Sequence, residues 1–173
     1  FYSYILLYTK EGKEAKNYLL KRGISEETMK AFKIGFSPRK ASSTLTFLKG
    51  KKFSYRELVK QKVLYRSSNG NFTDPFKNRI VFPINDYQRR TVAFGGRTMD
   101  KNNKVKYYNT PETRIFKKGD NLFGFDLAKE EITNQGFAIL LEGYFDVVTL
   151  HQHGIKNGVA SLGTSLTTNQ AIL

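Results

Sequence analysis

The sequence has no cysteine and no tryptophan, only 4 prolines and 2 histidines, and 15 acidic residues against 29 lysines and arginines. Each shortage excludes something. Without cysteine there is no disulfide scaffold and no thiolate metal site such as a zinc ribbon, and the composition is compatible with a reducing compartment. No apolar run approaches the roughly 18 residues that a membrane-spanning helix needs. The apolar start, Phe1 to Tyr8, has no basic flank and no small-residue cleavage site, so it does not read as a signal peptide. His151 and His153 fall on one expected helix with no third ligand nearby, and read as surface or packing residues. What remains is 39% hydrophobic over 173 residues, enough to bury the core of one domain or slightly more. The first residue is Phe and the last three are Ala171, Ile172 and Leu173, so both ends read as cut.

The scarcity of acid is uneven. Residues 1–78 carry 17 basic and 6 acidic side chains, residues 79–119 carry 10 and 3, and residues 120–173 carry 2 and 6. The first two thirds suit a polyanion, because lysine and arginine that replace phosphate counterions are the usual source of nucleic-acid affinity. The acidic last third suits a divalent cation.

Along the chain, Glu11 to Arg22 has helical spacing of Ala15, Tyr18, Leu19 and Arg22, and Gly23 stops it. Ser25 caps a second helix that ends near Ile34-Gly35, with Glu26 and Glu27 in its first turn. Ser54-Tyr55-Arg56-Glu57 reads as a capping box opening a third helix to about Lys62. Arg79 to Ile84 and Thr91 to Phe94 flank a turn and predict a β-hairpin, with Gly95-Gly96 at its end. A third strand is expected over Lys106 to Asn109, and a helix from an Asp126 cap to about Ile132. From Gly136 on, the order is strand, helix, strand, helix: Phe137 to Leu141 as a strand buried on both faces, Tyr144 to His153 as a helix, Gly158 to Ala160 as a strand, and a last helix from Thr167 or Thr168. That order implies a parallel sheet with right-handed crossovers. The fold class is therefore mixed α/β (α+β). A basic N-terminal subdomain with a β-hairpin covers 1–133, and the first β-α-β-α part of a parallel-sheet domain covers 134–173.

Three stretches carry chemistry. In Glu142-Gly143-Tyr144-Phe145-Asp146, an acid stands where an apolar strand ends and a helix begins. Ligands of open α/β sheets bind at that end of the strands, and one or two carboxylates suffice for Mg²⁺ that keeps water and phosphate as its other ligands. Two helix-start acids favoured by the dipole are the plain alternative. Lys106-Tyr107-Tyr108-Asn109-Thr110-Pro111-Glu112-Thr113, followed by Lys117-Lys118-Gly119, interleaves cations, aromatic stacking faces and amide donors. An exposed polar loop is the alternative there. Arg79 and Arg97 flank the hairpin, and arginine is preferred where phosphate is gripped by two donors.

Together these motifs resemble the catalytic core of the bacterial replicative DNA primase. The resemblance rests on Asp74-Pro75-Phe76-Lys77-Asn78-Arg79-Ile80-Val81-Phe82-Pro83-Ile84, Phe94-Gly95-Gly96-Arg97, the Lys106–Gly119 run, Leu141-Glu142-Gly143-Tyr144-Phe145-Asp146 and Ala160-Ser161-Leu162-Gly163-Thr164-Ser165, in the family's order. Tyr18-Leu19 and Arg22-Gly23-Ile24-Ser25 match too, so the resemblance covers nearly the whole chain. It implies a basic subdomain packed on a toprim domain, making short RNA primers on a single-stranded DNA template from NTPs with Mg²⁺ or Mn²⁺.

By that match Glu142 faces the metal, Asp146 stands near or behind it, and Lys118 joins them as a catalytic residue. Arg79, Arg97, Lys106, Tyr107, Asn109 and Lys118 line the groove for template, RNA primer or nucleotide. The implied setting is the bacterial cytoplasm at the replication fork. The replicative helicase would be met through regions outside this sequence, and no membrane is involved. The family's toprim domain also carries an Asp-x-Asp pair that this sequence lacks, so the metal site is incomplete and the piece is expected to be inactive alone. A non-catalytic single-strand-binding module, or another toprim enzyme such as a nuclease or topoisomerase, are the alternatives. The second is disfavoured because the stretch from Asp74 to Gly119 has no expected place in those enzymes.

Overall fold

A computed structural model describes residues 1–163 and 165–173, with the backbone only for Ala41. Thr164, part of the expected run from Ala160 to Ser165, lies outside the described residues. Helices α1 (Tyr2–Tyr8), α2 (Lys13–Lys21) and α3 (Glu26–Ala31) lead into strand β1 (Gly35–Ser37). Helices α4 (Ala41–Gly50) and α5 (Tyr55–Lys60) and the short strands β2 (Tyr65–Arg66) and β3 (Phe72–Thr73) follow. Then come β4 (Arg79–Asn85), β5 (Thr91–Thr98), β6 (Tyr107–Asn109), a 3-10 turn at Lys118–Asp120, and α6 (Phe125–Gln135). The chain continues with β7 (Ile139–Leu141), α7 (Tyr144–Gln152), β8 (Gly158–Ala160) and α8 (Thr168–Ile172).

The fold is mixed α/β. An antiparallel sheet has the order β1-β4-β5-β6, and β7 and β8 pair in parallel around the α7 crossover. Strand β4 is the spine: Arg79 through Ile84 are all buried, as its run of β-branched and aromatic residues leads one to expect. Pro83 can sit in this interior strand because β1 pairs only with Arg79, Ile80 and Val81, leaving that side of Pro83 without a strand to bond.

One hydrophobic core joins both halves of the chain. Leu6, Leu19 and Met29 from the first three helices, with Ile24 from the link between α2 and α3, join Ile80, Phe82 and Ile84 of β4 and Phe123, Tyr144, Phe145, Val147 and Ala160 in one cluster. Phe82 stacks on Tyr144 at 5.0 Å between ring centres and 7° between planes, and Phe123 meets the same ring edge-on at 4.7 Å. Gln152, at the end of α7, adds a polar tie. It donates to the Gly23 carbonyl at 2.6 Å and accepts from the Ser25 amide at 2.8 Å.

Several expectations need correcting. The capping box at Ser54 does not form: Ser54 precedes the helix but its side chain makes no cap hydrogen bond, and the helix stops at Lys60. Asp126 is not a cap either. Gly124, in the left-handed region at φ 81°, starts α6, and Asp126 is buried in the first turn, accepting from Asn85 Nδ2 at 2.9 Å. The helix after Ser25 ends at Ala31, and Gly35 opens a strand instead. Strand β7 is three residues long and is not buried on both faces, since Phe137 and Leu140 are 54% and 47% exposed. Gly95 and Gly96 lie inside β5 rather than at its end. Helices α1 and α4 were not expected at all.

Asp74 explains how the motif before β4 holds the helices. Its carboxylate is buried; Oδ2 accepts from the hydroxyls of Tyr2, Ser37 and Thr44 at 2.7–2.8 Å, and Oδ1 accepts from the Phe76 amide at 2.7 Å. Helices α1 and α4 and strand β1 thus converge on one side chain. Asp74→Ala leaves these buried donors without an acceptor, at roughly 1–3 kcal/mol for each unsatisfied group taken alone. A summed loss of about 3 kcal/mol is expected, read as a thermal midpoint lower by roughly 6–12 °C. Gly95→Ala tests the contact between β5 and the Tyr144 ring. A Cβ at Gly95 would land on the Tyr144 phenol, a ring already fixed by Phe82, and the expected cost is roughly 1–3 kcal/mol by chemical denaturation.

Candidate nucleic-acid interface and metal carboxylates

Strands β5 and β6 build the cationic side. In their register Arg97 stands opposite Tyr107, Gly96 opposite Tyr108 and Gly95 opposite Asn109. Because side chains alternate along a strand, Tyr107 and Asn109 share one face and Tyr108 takes the other. Tyr108 faces inward, its hydroxyl 2.7 Å from that of Tyr65 and its ring edge-on to Phe76. Burial, then the hydrogen bond with Tyr65, raise the Tyr108 pKa, so this phenol stays protonated and structural.

The Tyr107–Asn109 face touches the beginning of α7. Asn109 Oδ1 accepts from the Tyr144 hydroxyl at 2.7 Å, and Asn109 Nδ2 donates to the Leu162 carbonyl at 3.2 Å. The Tyr107 ring lies 6.3 Å from that of Tyr144 and is 47% exposed, leaving a stacking surface open. Tyr144 is two residues beyond Glu142, so this contact sets the acid-bearing turn beside the cationic strands. Burial raises the Tyr144 pKa, and this keeps its hydroxyl a donor to Asn109.

Glu142 follows the last residue of β7, and Asp146 sits in the first turn of α7; both are exposed. Gly143 lies between them, and a Cβ placed on it would be 3.4 Å from Asp146 Oδ2, an ordinary contact. Neither acid is in an ion pair among the described residues. The donors are carboxylate oxygens at the open end of a parallel strand, which suits a hard cation that keeps water ligands. Among the described residues no three His, Cys, Asp or Glu side chains cluster, so the two acids alone do not make a closed cage.

The other expected residues divide. Lys106 is exposed, while its backbone is pinned by the Thr98 amide at 2.9 Å. Lys118 is half-buried; its amide donates to Glu112 at 3.1 Å and its carbonyl accepts from Gln170 of α8 at 2.9 Å. The expectation for Arg79 is corrected. It is only 7% exposed, and its Nη1 faces the carbonyls of Gly96, Val105 and Lys106 at 3.1–3.5 Å. Burial lowers its pKa, the mark of a guanidinium withdrawn from water rather than offered to phosphate. It shapes the turn that presents Lys106. His151 packs edge-on against Phe32 and bonds the Gly158 carbonyl at 2.8 Å, while His153 is exposed. Sequence reasoning missed the bridging role of Tyr144, which appeared there only as part of an acid motif.

These elements match known proteins along the whole chain. A family model for the DNA primase catalytic core, N-terminal domain, matches residues 1–129, and one for the Toprim domain matches residues 136–173. The DNA primase of Clostridium acetobutylicum is 44% identical over 161 residues, 92% of this chain and 26% of the relative. That of Enterococcus faecalis is 41% identical over 174 residues, 98% of this chain and 28% of the relative. The chain thus spans about a quarter of the length of these curated relatives.

Among solved structures, the RNA polymerase domain of Mycobacterium tuberculosis primase DnaG, in complex with a double-stranded DNA oligomer with a 6-nucleotide overhang, aligns with a TM-score of 0.91. The identity is 32%, covering 99% of this chain and 53% of that one. A DnaG primase catalytic domain bound to single-stranded DNA aligns with a TM-score of 0.88 at 38% identity, over 98% and 54% of the two chains. The chain therefore belongs to the DnaG-type bacterial DNA primase family, with the N-terminal domain of the catalytic core followed by Toprim sequence.

Proposed function

We propose that this chain supplies the template groove and the first metal carboxylates of a primase. That enzyme is a nucleotidyltransferase making short RNA primers from NTPs on single-stranded DNA. The observation that carries the reading is the Tyr144–Asn109 hydrogen bond, because it fixes the acid-bearing turn against the cationic strand pair. A related catalytic domain carries single-stranded DNA, which supports the same use of this groove. The division into a basic part, 1–133, and a toprim part, 134–173, is the corresponding proposal for the domains.

In this reading Lys106 and Arg97 neutralise template phosphates, Tyr107 offers its open ring to a base, and Asn109 holds Tyr144 in place. Lys118 stands ready for nucleotide or primer phosphate. Glu142, with Asp146 behind it, would hold Mg²⁺ or Mn²⁺. When bound, such an ion supplies charge stabilisation for phosphoryl transfer. The chain's own part is to orient that carboxylate by keeping the β7–α7 turn packed on Phe82. RNA primer, NTPs and a replicative helicase are the proposed partners, in the bacterial cytoplasm. No helix among the described residues is long and apolar enough to cross a membrane. With two acids at the site, this stretch by itself is proposed to bind strands rather than polymerise.

In the intact protein, Lys106→Ala and Arg97→Ala should each weaken binding of single-stranded DNA. Each should also flatten the dependence of log affinity on log salt by about 0.7 per lost phosphate contact. Unchanged salt slopes for both would remove the groove assignment. Glu142→Gln should abolish primer synthesis while template affinity survives, measured by primer extension beside fluorescence anisotropy; retained synthesis would refute the metal role.

A further inference from the structure

The antiparallel sheet has two faces, and the acid-bearing turn packs on only one of them. Side chains alternate along β4, so Phe82, stacked on Tyr144, points one way while Val81 and Pro83 point the other. The register pairs Phe82 with Gly95, where a Cβ would meet the Tyr144 ring, and pairs Pro83 with Phe94, which therefore shares the reverse face. On that reverse face lies a cavity of about 680 Å³, with Val81, Pro83, Val92 and Phe94 as its floor. Its walls include Leu48 and the rings of Phe1 and Phe47, which stack at 4.5 Å between centres. Sites for small molecules are concave, mostly apolar and about 300–1,000 Å³ in volume, and this cavity has those properties.

The polar groups in its walls are already engaged. The Thr44 hydroxyl donates to Asp74 at 2.8 Å, and the Thr110 hydroxyl accepts from the Phe94 amide at 3.0 Å and donates to the Phe94 carbonyl at 3.2 Å. The buried Asp74 carboxylate behind the wall accepts from Tyr2, Ser37, Thr44 and Phe76. No lining residue is acidic, and the charged ones are Lys33 and Lys62. Both are exposed, and neither forms an ion pair among the described residues. Both also hold left-handed backbone, at φ 50° and 60°, two residues past the ends of α3 and α5. Glycine is the unstrained choice at such positions. The chain bears that strain twice and in each case sets a cation beside the cavity.

We propose that this cavity binds a small amphipathic anion, an aliphatic chain ended by one carboxylate or phosphate. The chain displaces water from the floor formed by Val81, Pro83 and Phe94. The head group meets Lys33 and Lys62, whose ammonium groups act as point charges for either acid. The site lies on the opposite face of the sheet from Tyr144, so it is separate from the template groove and does not rest on that reading.

The test uses the intact protein and titration calorimetry. The probes are hexanoate, octanoate and decanoate below their micelle concentrations, decyl phosphate, and 1-decanol as the uncharged chain. Affinity should rise with chain length, by roughly fourfold for each fully buried CH₂, and decanol should bind more weakly than the acids of equal length. Whichever of decanoate and decyl phosphate binds more tightly identifies the head group, and either supports the inference. Lys33→Gln and Lys62→Gln should each weaken that acid by about two- to fivefold. Lys33→Gly and Lys62→Gly relieve the left-handed turns while removing the charge, so the same loss in them is a loss of the cation and not of the fold. If both folded glycine variants bind as wild type does, if decanol binds as tightly as the acids, or if no acid binds, the inference is overturned. Saturating decanoate should leave the affinity for a labelled oligodeoxythymidylate unchanged. If the acids instead displace the strand, they occupy the cationic groove; this inference then falls while the groove reading stands.

Discussion

The structure depends on how the Tyr144 ring is held. Phe82 lies flat against one side of it, Phe123 meets it edge-on, and Asn109 accepts its hydroxyl. Each contact comes from a different part of the chain: the central strand, the link into α6, and the short outer strand. A buried aromatic with a satisfied polar end combines a large apolar contact with one fixed direction. The turn that carries Glu142 inherits that direction, because Tyr144 begins the helix that follows it.

The surrounding arrangement follows from this constraint. Glycine stands at position 95 because a larger residue would overlap the phenol, and the neighbouring Gly96 similarly admits the Phe76 ring. With the backbone drawn in at these two positions, β5 can approach the toprim part closely while Arg97, the next residue, stays half-exposed. Arg79 serves the same end from below. Its buried guanidinium gathers carbonyls from β5 and from the turn before β6, and so holds Lys106 outward without itself meeting solvent. Cationic residues of the same motif family thus divide into one that shapes the groove and others that face it.

Polar anchoring does for the N-terminal helices what Tyr144 does for the seam. Asp74 gathers hydroxyls from α1, β1 and α4, and Gln152 secures the link between α2 and α3 to α7. Both side chains bond several partners at once, so each fixes relative positions that a greasy contact alone would leave free to slide. The two halves consequently share one core rather than meeting across a separate interface.

The sequence by itself determined the class of fold, the polyanion preference, and the turn that bears Glu142. Net charge, strand-length apolar runs and the spacing of Glu142 and Asp146 are local or additive properties, and a linear reading retains them. It also showed the hairpin and the parallel crossover, since periodicity and turn residues act over a few positions. Only the tertiary structure decided that Arg79 is buried while Lys106 is not, that Gly124 rather than Asp126 starts α6, that β7 leaves Leu140 exposed, and that Arg22 and Arg97 meet at Tyr18. The physical reason is common to all four: burial, capping and side-chain contact depend on which distant segments arrive at the same place, and one-dimensional spacing carries no record of that.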